Sequence, residues 1–144
     1  MANETADFLD NLVVAVAALL VEITTYIQVH TEEPDSIGSG PEVAVLADRG
    51  VAGQEGVQMH GETHFLLLRT YIPLGAAASG PEQTIRKLWN LQTDKFNAHD
   101  TLNGTCSTSY LIEYNCGWGT LGHVPCRIMD SRLKCFLLAG VPYA

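Results

Sequence analysis

The histidines and cysteines are the residues of this chain best suited to bind a metal or catalyse a reaction. They are His30, His60, His64, His99, His123, Cys106, Cys116, Cys126 and Cys135. Structural zinc sites usually take two ligands from one short turn, as in C-x₂-C, because such a pair sets half of the tetrahedron. The cysteines here lie about ten residues apart, and the pair formed by His123 and Cys126 has no second pair to complete a site. We therefore expect no metal site.

Catalytic signatures are equally sparse. The sequence contains neither the G-x-S-x-G of a serine nucleophile nor the G-x₄-G-K-[ST] of a phosphate-binding loop. His60 and His64 are four residues apart, as in a zinc-protease helix, but Gly61 and the strand pattern that follows disfavour a helix. His99 and Asp100 are explained by hydrogen bonds within the turn that follows a helix. We therefore expect that the protein is not an enzyme.

Trp118 is the most conspicuous aromatic residue, because it stands between Gly117 and Gly119 in a stretch, residues 115–125, whose glycines predict a turn. Two explanations remain open for it. Trp118 either anchors this turn in the core or contacts a partner at an interface, where tryptophan is enriched.

Composition limits the class of protein. The 144 residues are 47% hydrophobic and 17% charged, which predicts one folded domain over residues 1–144. A net charge of −8 opposes adhesion to nucleic acid and to anionic membranes. The apolar run at residues 12–21 is about half as long as a membrane span, and acidic rather than basic residues precede it. We expect a protein kept on the cytoplasmic side, with its cysteines as free thiols.

The elements that would position these residues follow from hydrophobic periodicity. A first helix is predicted after a cap at Asn3 or Thr5, with Phe8 as the first residue of its apolar stripe. Its second side is also apolar, at Val14, Ala17, Ala18 and Val21. Either a deep core position or a neighbouring subunit would cover that second side. A second helix begins at Pro81, which is favoured at the first helical position. Strands are predicted at residues 26–30, 42–48, 63–72 and 127–138 and in the stretch that ends at Tyr114, and a long loop is predicted at residues 49–61.

The turn after the second helix is marked by Asn103 and Gly104, and the strand after it alternates, with Tyr110, Ile112 and Tyr114 on one face. On the last strand Met129, Leu133, Cys135 and Leu137 share a face. The order helix, three strands, helix, two strands predicts an α+β domain.

This succession resembles the tail terminator proteins of long-tailed bacteriophages, also called tail completion or minor tail proteins. The residues that carry the resemblance are Ile85-x-x-Leu88-Trp89-x-Leu91 followed by His99-Asp100-x-Leu102-x-Gly104-x-Cys106. It implies an α+β fold with two helices packed on one face of a mostly antiparallel four- to five-stranded sheet. It also implies a virion protein, assembled in the host cytoplasm, without enzymatic activity or cofactor.

The resemblance further implies partners and roles. Copies would form a ring, a homo-hexamer, that caps the tail tube protein and joins it to the head connector protein, with genomic DNA passing through without specific binding. The oligomer interface would include Val14, Ala17, Ala18, Val21 and Trp118. A mobile docking loop at residues 49–61 would include Arg49, Gln54, Glu55, Gln58 and His60. The stretch from Cys116 to Pro125 has no counterpart in the family.

Three alternatives stay open at this stage. A head–tail connector or stopper subunit shares the size, acidity and ring assembly of a tail terminator. A small ligand- or metal-binding domain would use His123 and Cys126. An enzyme of unknown type would use His60, His64 or His99.

Overall fold

Two helices pack on one face of a five-stranded sheet in the computed structural model, which describes residues 8–54, 59–74 and 80–140. The elements in chain order are α1 (Phe8–Val21), β1 (Gln28–His30), β2 (Glu42–Gln54), β3 (Met59–Pro73), α2 (Pro81–Ala98), β4 (Thr108–Leu121) and β5 (Val124–Gly140). The strand order across the sheet is β1-β2-β3-β5-β4, and only the β1–β2 pair is parallel. The predicted α+β class, with a mostly antiparallel sheet, is confirmed.

The core lies between the helices and one face of the sheet, which we call the helix face. Strand alternation sends every second side chain of the central strands toward the helices. The fully buried residues of this layer include Leu12, Val16, Leu20, Leu88, Phe96, Val45, Leu66, Leu68, Met129 and Leu133. The predicted shared face of Met129, Leu133 and Cys135 is confirmed, because all three are buried in this core.

The segment from α2 to β4 follows its sequence signals. Gly80 has a φ of 84°, which favours glycine, and Pro81 begins α2. After α2 the chain turns through Asn103 and Gly104, which have φ values of 59° and 90°. The Ser109 hydroxyl donates to the Asp100 carbonyl at 2.9 Å and so ties this turn to β4. The predicted helix start and turn are both confirmed.

The long loop predicted at residues 49–61 is wrong, because β2 and β3 form an extended hairpin whose pairing continues to Gln54 opposite His60. Arg49, Gln54 and His60 therefore lie in strands, whereas Glu55 and Gln58 lie outside the described residues. The glycines of this stretch suggested a loop, but Gly50 has a different role. A Cβ at Gly50 would lie 2.8 Å from Nδ1 of His64, so the absent side chain lets the two strands pair.

The turn predicted at residues 115–125 is also wrong over most of its length. β4 continues to Leu121, and only Gly122 and His123 form the connection to β5. Both residues have positive φ, 58° and 69°, as a two-residue type I′ hairpin requires. Gly119 lies inside the strand because a Cβ there would be 2.8 Å from Cδ1 of Ile128.

Tyr110, Ile112 and Tyr114 do not share one face, contrary to the prediction, because the register of β4 shifts between Leu111 and Glu113. Such a bulge inserts one residue and reverses the alternation. Tyr110 lies beneath the Lys134 ammonium on the face away from the helices. Tyr114 instead contacts Trp89 of α2, with ring centroids 4.8 Å apart.

No helix in the described part of the chain is long and apolar enough to cross a membrane.

Candidate interaction surfaces

The exposed hydrophobic side chains of the described residues concentrate on β4. This strand has β5 as its neighbour on one side, and within the described chain no strand pairs with its other side. The large apolar residues exposed along it are Tyr110, Ile112, Tyr114 and Trp118, which we call the β4 surface. Edge strands are usually protected by lysine, proline, bulges or short length, and β4 has one of these, the bulge between Leu111 and Glu113. β4 is 14 residues long, contains neither lysine nor proline and has Glu113 as its one charge.

Trp118 is held in place from behind while its outer surface stays exposed. The Arg127 guanidinium lies 4.5 Å from the centroid of the indole ring, a cation–π contact. Arg127 is itself fixed, because its Nε donates to Glu82 of α2 at 2.9 Å and its Nη1 donates to the Gly117 carbonyl at 3.0 Å. Trp118 remains 64% exposed, so the interpretation that it anchors a turn in the core is wrong.

The second side of α1 is not covered by the rest of the described chain. Val14 and Val21 are 62% and 64% exposed, and Ala18 between them is also exposed. Ala17 differs, because it is half-buried and packs against the core. The explanation that a deep core position covers this side is therefore wrong for Val14, Ala18 and Val21. Their role at an oligomer interface stays a prediction.

A groove of about 700 Å³ lies between α1 and β2. Its lining residues are Leu9, Asp10, Val13, Val14, Thr31, Glu32, Glu33, Val45, Leu46 and Ala47, which we call the α1–β2 surface. β1 pairs with β2 only from Glu42 to Ala44, so the outer edge of β2 is without a paired strand in the described chain beyond that point. The groove therefore places apolar side chains of α1 beside a free strand edge.

These two surfaces lie at opposite ends of the sheet. The strand order separates β2 from β4 by three strand spacings, roughly 14 Å. α1 packs over β1 and β2, and α2 packs over β4. Each end of the sheet is therefore covered by a different helix. The molecule therefore presents two different apolar surfaces that point away from each other.

Charge also differs between the two ends. Residues 8–54, which form α1, β1 and β2, contain seven acidic residues and one basic residue. Residues 80–140, which form α2, β4 and β5, contain five acidic and six basic residues. The segment that forms α1, β1 and β2 is therefore acidic, although its loop places Glu33 against Tyr71 and Asp35 beside Gly122 of the β4–β5 turn. The segment that forms α2, β4 and β5 is close to neutral.

Two arginines on the face of the sheet away from the helices are paired with carboxylates. Nε and Nη2 of Arg69 donate to the two oxygens of Asp130 at 2.8 and 3.1 Å, and this pairing raises the pKa of Arg69 above its usual range. Arg132 likewise pairs with Asp48 and Glu113. Because these charges satisfy each other across strands, this face is less suited to adhesion than the two apolar ends.

The loop between β1 and β2 crosses this face. The Tyr71 hydroxyl donates to Glu33 of that loop at 3.0 Å. Burial, followed by the hydrogen bond to Glu33, raises the pKa of Tyr71 to about 12. Ile37 of the same loop packs against Tyr71, Ala44 and Cys126. The loop is thus fixed to the sheet rather than free.

The histidines named by the sequence occupy separate structural positions. Nε2 of His64 lies 3.0 Å from Glu62 Oε1, and its ring packs on Phe8 at the start of α1. His99 instead ends α2, where its backbone N–H donates to the Phe96 carbonyl. The end of α2 contacts the end of α1 through Lys95 and Glu22, so roughly 20 Å of helix separates His64 from His99. The side chain of His60 lies outside the described residues.

The cysteines are also dispersed. Cys106 and Cys135 are hydrogen-bonded in the core, and this bond, together with burial, raises the pKa of Cys135 far above its usual range. Cys126 is buried on the opposite face of the sheet, whereas Cys116 is exposed on β4. Across residues 8–54, 59–74 and 80–140, no three His, Cys, Asp or Glu side chains are grouped to hold a metal ion.

The most informative surfaces were only partly predicted from the sequence. Val14, Val21 and Trp118 were predicted at an interface, but the groove lined by Leu9 and Val13 was missed. Its one sequence signal was the continuous apolar character of α1. The chain matches no protein-family model, and a search of curated proteins gives no significant match.

Proposed function

We propose that this protein is a non-enzymatic virion protein, a tail terminator of a long-tailed bacteriophage, whose copies form a ring on the end of the tail tube. The proposal combines the resemblance carried by residues 85–106 with the α+β fold and with the two exposed apolar ends of the sheet. Its partners are further copies of itself, the tail tube protein and the head connector protein.

The observation that carries the proposal is the pair of unlike apolar surfaces at opposite ends of one sheet. A symmetric dimer uses the same patch on both copies, whereas a ring needs two different patches that fit each other. Val14 and Val21 at one end, and Tyr114 and Trp118 at the other, supply two such patches. Two acidic α1–β2 ends would repel each other, whereas an acidic α1–β2 end and a near-neutral β4 end would not. Charge therefore favours head-to-tail contact.

The net charge supports passage of DNA through such a ring. With 16 acidic and 8 basic residues, the protein repels phosphate rather than attracting it. Arg69 and Arg132, two of the cations on the sheet face away from the helices, are paired with carboxylates. DNA would therefore cross the lumen without specific binding. The β2–β3 hairpin, which contains Arg49, Gln54 and His60, takes the docking role that the sequence had assigned to a loop.

The experiment combines purified protein with isolated tail tubes and, separately, with isolated connectors. Light scattering and negative-stain microscopy follow the protein alone and in each mixture. We expect ring-shaped density at one end of the tubes and, once this ring is present, attachment of connectors to it. Binding to connectors alone would instead indicate a connector or stopper subunit. A strictly monomeric protein at high concentration, both alone and with tubes or connectors, would overturn the proposal.

A further inference from the structure

β4 and the outer edge of β2 are the two long strand edges that the described chain leaves unpaired. We infer that β4 of one copy pairs with β2 of the next copy at residues 45–54, within the α1–β2 groove, so that the sheet continues from subunit to subunit. This inference rests on the proposed ring and specifies its interface.

The backbone supplies the first argument. A free strand edge presents a row of N–H and C=O groups that a strand from another chain can bind. β4 has 14 residues and the free part of β2 has ten, so the two edges have comparable lengths. Strand directions also agree with pairing. β2 and β5 run together, opposite to β3 and β4, so a rotation about an axis along the strands brings β4 antiparallel to the neighbouring β2.

The side chains supply the second argument. The β4 surface exposes Ile112 and Trp118 by 41% and 64%. The groove beside β2 is lined by apolar residues of α1 and β2, and Val14 at its rim is 62% exposed. Pairing of the two edges would cover both sets of side chains at once, whereas either set alone leaves an apolar patch in water.

Charge complementarity is the third argument, and it indicates that the α1–β2 groove binds a second copy of this chain. Asp10, Glu32 and Glu33 line the groove. Arg86 is exposed on α2, one helical turn from Glu82 and from Trp89. Glu82 accepts a hydrogen bond from Arg127 of β5, and Trp89 contacts Tyr114 of β4. Arg86 has no ion-pair partner within the described residues, so it is available to a carboxylate of the neighbouring copy. Pairing of β4 with a second β4 would leave the acidic groove empty and bring two ends of the same kind together.

The test measures assembly and backbone protection in the same samples. Ile112→Lys places a charge on the proposed interface, and Leu74→Lys is its matched control, because Leu74 is 43% exposed in the turn after β3. Sedimentation of each variant, alone and with tail tubes, should show assembly weakened about tenfold or more by Ile112→Lys and unchanged by Leu74→Lys. Circular dichroism establishes that both variants fold.

Hydrogen exchange on the wild-type ring provides the measurement that does not depend on a variant. We expect amides in both β4 and residues 45–54 to exchange about tenfold more slowly, or slower still, in the ring than in the monomer. A ring that forms without protection of these edges, or that tolerates Ile112→Lys, would overturn the pairing but leave the proposed function intact. Protection of β4 without residues 45–54 would also overturn it. Absence of any assembly, with or without tubes, would refute both proposals.

Discussion

Replacing Trp118 by alanine should weaken assembly far more than it weakens the folded monomer. Trp118 is 64% exposed, and a tryptophan side chain presents about 200 Å², so an interface that covers it removes roughly 130 Å² from water. At about 25 cal/mol per Å², this burial contributes roughly 3 kcal/mol, which corresponds to roughly a 100-fold weaker association in Trp118→Ala. Within the monomer the substitution removes mainly the cation–π contact with Arg127, about 0.5–1 kcal/mol.

Two measurements separate these effects. Sedimentation velocity over a concentration series, alone and with tail tubes, gives the association constant of wild type and variant. Urea denaturation of the dilute monomer gives the free energy of unfolding. Leu74→Ala serves as the control, because it removes an exposed apolar side chain that belongs to neither surface. Unchanged association in Trp118→Ala would show that Trp118 lies outside the interface. A loss of monomer stability near 3 kcal/mol would show a structural role instead.

Four further predictions concern the monomer. Gly122→Ala should lower the free energy of unfolding by about 1–3 kcal/mol, because the residue has positive φ and its Cβ would lie 2.8 Å from that of Ser36. His123→Gly should raise it by about 0.5 kcal/mol by relieving a positive φ. Burial raises the pKa of Tyr26 to about 12, so the native state keeps the phenol proton to a higher pH than the unfolded chain does. About 3 kcal/mol of folding stability, present below pH 10, should therefore be lost as the pH rises through 12. A thiol reagent should modify Cys116 alone in the folded monomer and all four cysteines after unfolding.

Each of these has a result that contradicts it. Urea denaturation would contradict the turn assignment if Gly122→Ala were neutral or His123→Gly were destabilising. Ultraviolet titration of the tyrosines would contradict the Tyr26 prediction if all of them ionised near pH 10 in the folded protein. Rapid reaction of more than one thiol at neutral pH would show that the other cysteines are not buried in the folded state.

The helices and the central strand were predictable because their signals are local. Pro81 and the apolar spacing that follows it identified α2, and the apolar run at residues 65–68 identified β3. The buried face of β5 followed from its alternation of apolar and charged residues. Each of these patterns depends on residues close together in the sequence, so no knowledge of the fold was needed.

The extents of the hairpins were not predictable, because their glycines serve contacts across strands. Gly50 makes room for His64, and Gly119 makes room for Ile128, but composition alone makes both look like loop residues. The bulge near Ile112 also has no local signature, and it moves Tyr114 to the helix face. Nothing in the sequence gave the strand order, so the free edges that define both proposed surfaces emerged only from the structure.

Negative-stain microscopy of tail tubes mixed with the purified protein tests the proposed function most directly. The two unlike ends of the sheet predict closed rings of this protein at one end of the tubes, and Trp118→Ala should reduce the fraction of tubes that carry a ring. Tubes with bare ends, together with a protein that remains monomeric in light scattering at high concentration, would contradict the account.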